Sequence, residues 1–189
     1  MRTATELRQE ILAAARHEFA QHGLAGARID RVARSAHASK ERLYAHFGDK
    51  ETLFREVVAA GNAEFFRAVT MAPDAIPEFV GAVFDLVQAH PEHHRMIRWA
   101  LLEGVALDEP QADGEPVLAG HIAAIEAAQA SGHVDPMWQP LDLLTLLFGI
   151  ALGWVNGPHP DAANGDPDVI ASRRAAAVEA ARRLIAPPR

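Results

Sequence analysis

Between Ser39 and Lys50 the chain carries helix start and stop signals so close together that the helix between them is fixed in length. The Ser39 hydroxyl can accept the orphan backbone N–H groups of a first turn. Gly48 can close the helix, and Asp49 can cap the next one, which opens at Lys50. Leu43 and Phe47 fall at i, i+4 and face inward. That leaves Lys40, Glu41, Arg42, Tyr44, Ala45 and His46 on the outer surface. A short helix locked between capped neighbours, with cations, a tyrosine and a histidine outward, suits a reading helix in a major groove.

The preceding residues supply its support. Leu7, Ile11, Ala15 and Phe19 form an i, i+4 ladder, which predicts an amphipathic helix over residues 4–22 ended by Gly23. Ile29, Val32, Ala33 and Ala36 mark a second, short helix, and a turn at His37-Ala38 leads to Ser39. Two short helices joined by a tight turn and backed by a longer one make a helix-turn-helix in a three-helix cluster.

The order EILAAARHEFAQHG, IDRVARSAHAS and LYAHFGDKETLF resembles the N-terminal domain of the tetracycline-repressor (TetR) family of bacterial transcription regulators, over roughly residues 6–55. Two departures stand out. The family usually has Gly-Val before the serine, where His37-Ala38 stand here; His is among the residues enriched at positive φ. The family also favours a small residue where Glu41 sits, and a carboxylate repels phosphate but can accept from a cytosine amino group. The resemblance and the outward positions together assign Lys40 and Arg42 to base edges. They assign Tyr44, His46 and Lys50 to phosphates, with Arg28 assisting; Ser39 and Glu41 complete the candidate DNA-binding set.

Charge is divided along the chain. The formal net charge is −7. Through residue 55 there are ten Lys and Arg against seven Asp and Glu, or +3; the remainder carries eight against eighteen, or −10. A basic end on an acidic body fits a protein that meets DNA with one face and argues against a general nucleic-acid coat. There are no cysteines, so disulfides and thiol redox sensing are excluded. No apolar leader segment is evident, and the most apolar stretch, Leu141 to Val155, is shorter than the ~20 residues a membrane span needs. A cytoplasmic location with no membrane partner is the expectation.

Beyond the head, helical periodicity continues with short breaks. Helices are expected from Lys50 to about Thr70, across Phe79, Val83, Phe84 and Val87, from Pro91 through Leu102, and from Val117 to about Ala130. Residues 108–114 read as a loop and 156–168 as a long mobile connection. No strand-like alternation with turn signals appears, so the fold class is all-α. The expected division is a helix-turn-helix DNA-binding domain at 1–50 and a helical ligand-binding and dimerisation domain at 51–189.

The helix over 141–155 is apolar nearly all round, which requires burial on more than one side, and the helix over 167–186 is rich in alanine. A two-fold partner copy would cover them, and the resemblance implies dimerisation through the last two long helices. Leu144, Phe148, Leu152, Ala177, Ala181 and Leu184 are the candidate interface residues. The alternative, a central helix buried within a monomer, stays open at this level.

The resemblance also implies a body pocket whose small-molecule occupant lowers DNA affinity. Phe84, Met96, Trp99, Glu103, His121 and Phe148 are the candidate lining, with Glu103 as polar anchor and the helix over 50–70 as the coupling element. His90, His93 and His94 do not have the spacing of a metal site, and no metal or cofactor is expected. No nucleophile-elbow, phosphate-loop or zinc-protease motif occurs, so no enzyme is expected. The functional expectation is a ligand-responsive DNA-binding regulator, most simply a homodimeric repressor on an inverted-repeat operator, released by a small apolar molecule. A ligand-binding module or constitutive regulator is the alternative, with an all-α enzyme ranking third.

Overall fold

Thr3 opens the first helix with a capping box: its side chain accepts from Glu6 N–H while the Glu6 carboxylate accepts from Thr3 N–H. The computed structural model describes residues 3–112, 114–157 and 165–187. Among these, α1 spans Ala4–Gly26, α2 Ile29–Ser35, α3 Lys40–Phe47, α4 Lys50–Ala68, α5 Ile76–Ala89 and α6 Pro91–Leu102. They are followed by α7 at Val117–Ala130, α8 at Pro140–Asn156 and α9 at Pro167–Ile185. The only strands among the described residues, β1 (Gln111–Ala112) and β2 (Glu115–Pro116), have two residues each; β1 lies within the segment read from sequence as a loop, 108–114, and β2 directly after it. The fold is all-α. Residues 158–164 of the connection expected to be mobile lie outside the described residues.

Two compact units divide the chain. The first comprises residues 1–64 and 90–113, the second residues 65–89 and 114–189. The packing therefore does not follow a cut after residue 50, because Phe54, Val57 and Val58 of α4 and Met96 and Ala100 of α6 share one buried core with α1 to α3. Leu7, Ile11, Ala15 and Phe19, the ladder read from sequence, are buried in that core. Phe19 meets Phe54 edge to face with centroids 5.1 Å apart.

In the second unit α5 packs on α8 and α9, and α7 packs on α8. Val80, Val83, Ile125, Leu143, Leu147, Ala177 and Ala181 fill its core. Arg174 donates to both carboxylate oxygens of Asp85, at 2.9 and 2.7 Å, and ties α9 to α5. Trp138 Nε1 donates to Leu184 O at 3.2 Å, so the connection before α8 is held against the end of α9.

Candidate nucleic-acid interface

A carboxylate on α1 fixes the start of α2, the helix that precedes α3. Glu18, buried on α1, accepts from Arg28 N–H at 2.8 Å and from Arg31 Nε at 2.8 and 2.9 Å. Burial pushes its pKa up, but the bonds from Arg31 and Arg28 outweigh this and hold it below the usual carboxylate range. One carboxylate thus satisfies the first turn of α2 and neutralises a guanidinium, which sets where α2 begins.

The turn into α3 takes the form the sequence predicts. Ala38 N–H returns to Ala33 O at 2.9 Å, and His37 adopts φ 49°, a left-handed conformation unusual for a non-glycine residue. Ser39 accepts from Arg42 N–H at 3.3 Å, Gly48 closes α3 at φ 75°, and Asp49 accepts from Thr52 N–H at 2.7 Å to start α4. Leu43 and Phe47 are buried beneath, and the Arg8 guanidinium lies 5.3 Å from the Phe47 ring centroid.

This scaffold leaves Ser39, Lys40, Glu41, Arg42 and Tyr44 exposed together, with Arg28 exposed at the start of α2 and His46 half-buried against Phe47. The face contains two residues the sequence reading missed. Asp30 pairs with Lys40, and their hydrogen bond lowers the Asp30 pKa and raises that of Lys40. Arg34 stands exposed in the last turn of α2. Both had a weak signal, since a carboxylate in a first turn and a cation in a last turn suit the helix dipole.

Lys50, expected on a phosphate, has its Nζ committed elsewhere. It donates to Ala25 O at 3.2 Å and Ala27 O at 3.3 Å, at the end of α1. A cation on the orphan carbonyls of a helix C-terminus is a structural clamp, which leaves one of its three donors for a phosphate.

Glu103, expected as the polar anchor of a ligand, is a correction. Its carboxylate accepts from Leu24 N–H at 2.8 Å and Ala25 N–H at 3.2 Å, just past the kink of α1 at Gly23. Trp99 Nε1 donates to Ala20 O at 3.3 Å beside the same kink, and Met96 is buried in the first unit's core. All three therefore belong to the first unit, because the backbone broken at Gly23 has N–H groups that need an acceptor. Phe84 packs edge to face on Trp154. His121 and Phe148 do come together in the second unit, joined by Phe66 and Phe79, which the sequence could not bring to the same place.

Three candidate dimer residues also need correcting. Leu144, Ala177 and Ala181 are buried in the second unit's own core, since α9 turns its small residues toward α5 and α8. Phe148, Leu152 and Leu184 are half-buried. The exposed stripe of α8 is instead Leu141, Thr145, Leu146, Gly149 and Gly153, and α9 exposes Ser172, Ala176 and Ala180. A Cβ added at Gly149 or Gly153 meets nothing within 4 Å. Among the described residues no group of three or more His, Asp or Glu stands placed to hold a metal ion. No described helix is long and apolar enough to cross a membrane.

Comparison with known proteins adds identity to this geometry. Residues 11–57 match the profile described as bacterial regulatory proteins, tetR family, and residues 75–183 match the tetracyclin repressor-like, C-terminal domain. HTH-type transcriptional repressor SCO4008 of Streptomyces coelicolor is 37% identical over 142 residues, 75% of this chain and 74% of its own length. HTH-type transcriptional repressor AcnR of Corynebacterium glutamicum is 48% identical over 66 residues, 35% of each chain. Among solved structures, the putative transcriptional regulator SCO4942 from Streptomyces coelicolor superposes with a TM-score of 0.82 at 39% identity, covering 96% of this chain and 99% of that one.

Proposed function

This chain belongs to the tetR family of bacterial regulatory proteins, and from that premise we propose that it is a homodimeric repressor acting on an inverted-repeat operator. The observation that carries the reading is the α3 surface: Lys40, Arg42 and Tyr44 exposed on a short helix whose two ends are capped and whose underside is fixed by Leu43 and Phe47. In this reading Arg42 contacts base edges, where its planar fork suits guanine. Lys40 exchanges Asp30 for DNA, and Tyr44, His46, Arg28 and the remaining donor of Lys50 hold phosphates. Glu41 accepts from a base amino group. The functional division is DNA binding in residues 1–50 and effector binding with dimerisation in 51–189.

The partner copy covers the exposed stripes of α8 and α9, through Leu141, Leu146, Leu152 and Leu184 around the two open glycines. Such an interface buries at least ~1,000 Å² in total. It sets two reading helices about one turn of DNA apart, ~34 Å. A small, mainly apolar effector binds the second unit and releases the operator, with α4 as the coupling element shared by both units. The reading makes the protein a cytoplasmic, non-enzymatic regulator.

The test is a gel shift with the full-length protein on the DNA flanking its own gene. Retarded inverted-repeat fragments, lost for Arg42→Ala while the dimer persists, support the reading. Retardation of all fragments alike overturns it.

A further inference from the structure

His121 lies on the inner face of α7 and is 5% exposed. Among the described residues its Nδ1 is a buried side-chain polar atom without a hydrogen-bond partner. Three phenylalanine rings surround it: Phe79 at 5.2 Å, Phe66 at 5.7 Å and Phe148 at 6.5 Å between centroids. They come from α5, the last turn of α4 and α8, all within the second unit. The rings are tilted to the imidazole by 51–76°, so they enclose it on several sides instead of stacking as a slab.

A plain core would not be built this way. Leaving a buried acceptor or donor unpaired forfeits its hydration with no return, a loss that an apolar residue in the same place would avoid. An unpaired buried polar group in a folded protein calls for an explanation, and a partner that arrives from outside is one. Phe66 and Phe148 are only half-buried, so the ring cluster reaches the surface on their side. Burial also lowers the His121 pKa, which keeps the imidazole neutral. A neutral imidazole in a ring cluster offers no counter-charge to an anion or a cation. It suits a group able both to donate and to accept, because that group matches either tautomer.

We propose that the second unit binds a small neutral molecule with a flat apolar body and one hydroxyl group, which hydrogen-bonds His121 Nδ1 between the rings of Phe66, Phe79 and Phe148. The proposal rests on the effector reading above for its consequence at DNA, but not for binding itself.

The probes are p-cresol and toluene, which share an apolar body and differ by the hydroxyl. Calorimetric titration of the full-length dimer should show p-cresol binding roughly tenfold tighter than toluene. In His121→Leu the two should bind within about a factor of two of each other. A second readout uses the wild type alone: p-cresol should shift the imidazole nitrogen resonances of His121, and toluene should leave them in place. Equal affinities in the wild type, a preference retained in His121→Leu, unmoved resonances, or no binding of either probe up to its solubility overturns the proposal. Operator release is followed separately. Binding through His121 without release refutes the effector reading and leaves the site standing; release by p-cresol that survives His121→Leu refutes the site and leaves the effector reading standing.

Discussion

Gly23 is where a single methyl group should do the most damage to the head. Its φ of 66° and ψ of −176° fall in a region essentially reserved for glycine, which costs another residue about 1–3 kcal/mol. A Cβ built there would lie against Glu103 Oε1 and 2.7 Å from Trp99 Cε3. The methyl therefore also dislodges the carboxylate from Leu24 and Ala25 N–H, and charged hydrogen bonds contribute about 1.5–3 kcal/mol when kept from water. This pocket is only partly buried, so the lower end applies. Gly23→Ala should lose about 3–4 kcal/mol in urea denaturation, or roughly 10 °C in Tm. Glu103→Ala alone should lose about 1.5 kcal/mol. The double variant should lose clearly less than the sum, because Gly23→Ala has already displaced the carboxylate. A loss under ~1 kcal/mol for Gly23→Ala, or strict additivity in the cycle, refutes the clamp.

Acid should weaken the head before general carboxylate protonation begins. His93 is pressed against Gly61 of α4, and burial first, then the charges of Arg16 and His94, push its pKa down to about 4. Its folded pKa lies below the unfolded value of ~6.5, so the stability it protects is present above pH ~6.5 and drains away as pH falls toward 4. The full loss is at most about 3.5 kcal/mol, and urea midpoints measured for wild type and His93→Gln should converge across that window. Lys50→Ala should lower thermal stability by about 1 kcal/mol by freeing the Ala25 and Ala27 carbonyls, detectable by circular dichroism without DNA. Ala181→Glu should unfold the second unit, since it puts a charge into a closed core. Leu146→Glu, on the exposed stripe, should leave the helical spectrum intact and give monomers by light scattering.

Local signals carried most of the fold into view. The Ser39 cap, the Gly48 stop, the positive φ at His37 and the buried ladder of α1 all act within a few residues, so spacing alone exposes them. What stayed hidden depends on partners distant in sequence. Glu103 meets Leu24 across 79 residues, and nothing near Glu103 announces that a kinked backbone needs its carboxylate. The α9 alanines suit a close seam with either a partner or the chain's own α5, and only packing decides between them. The pairing of Asp30 with Lys40 was likewise out of reach, because it depends on the crossing of α2 and α3. For His121 the residue type was legible, but its missing hydrogen bond and its three rings were not.

If the exposed face of α3 reads DNA as one half of a two-fold pair, an intact repeat must bind far more tightly than its parts. Fluorescence anisotropy of the full-length protein on an inverted-repeat operator, a single half-site and a scrambled duplex, over 50–200 mM salt, tests it directly. The intact repeat should bind at least ~10³-fold tighter than the scrambled duplex, with a slope of log affinity against log salt of about −4 or steeper. Arg42→Ala should remove most of that preference while leaving the salt slope nearly unchanged. Equal affinity for the repeat and the scrambled duplex, or a preference that survives Arg42→Ala undiminished, contradicts it.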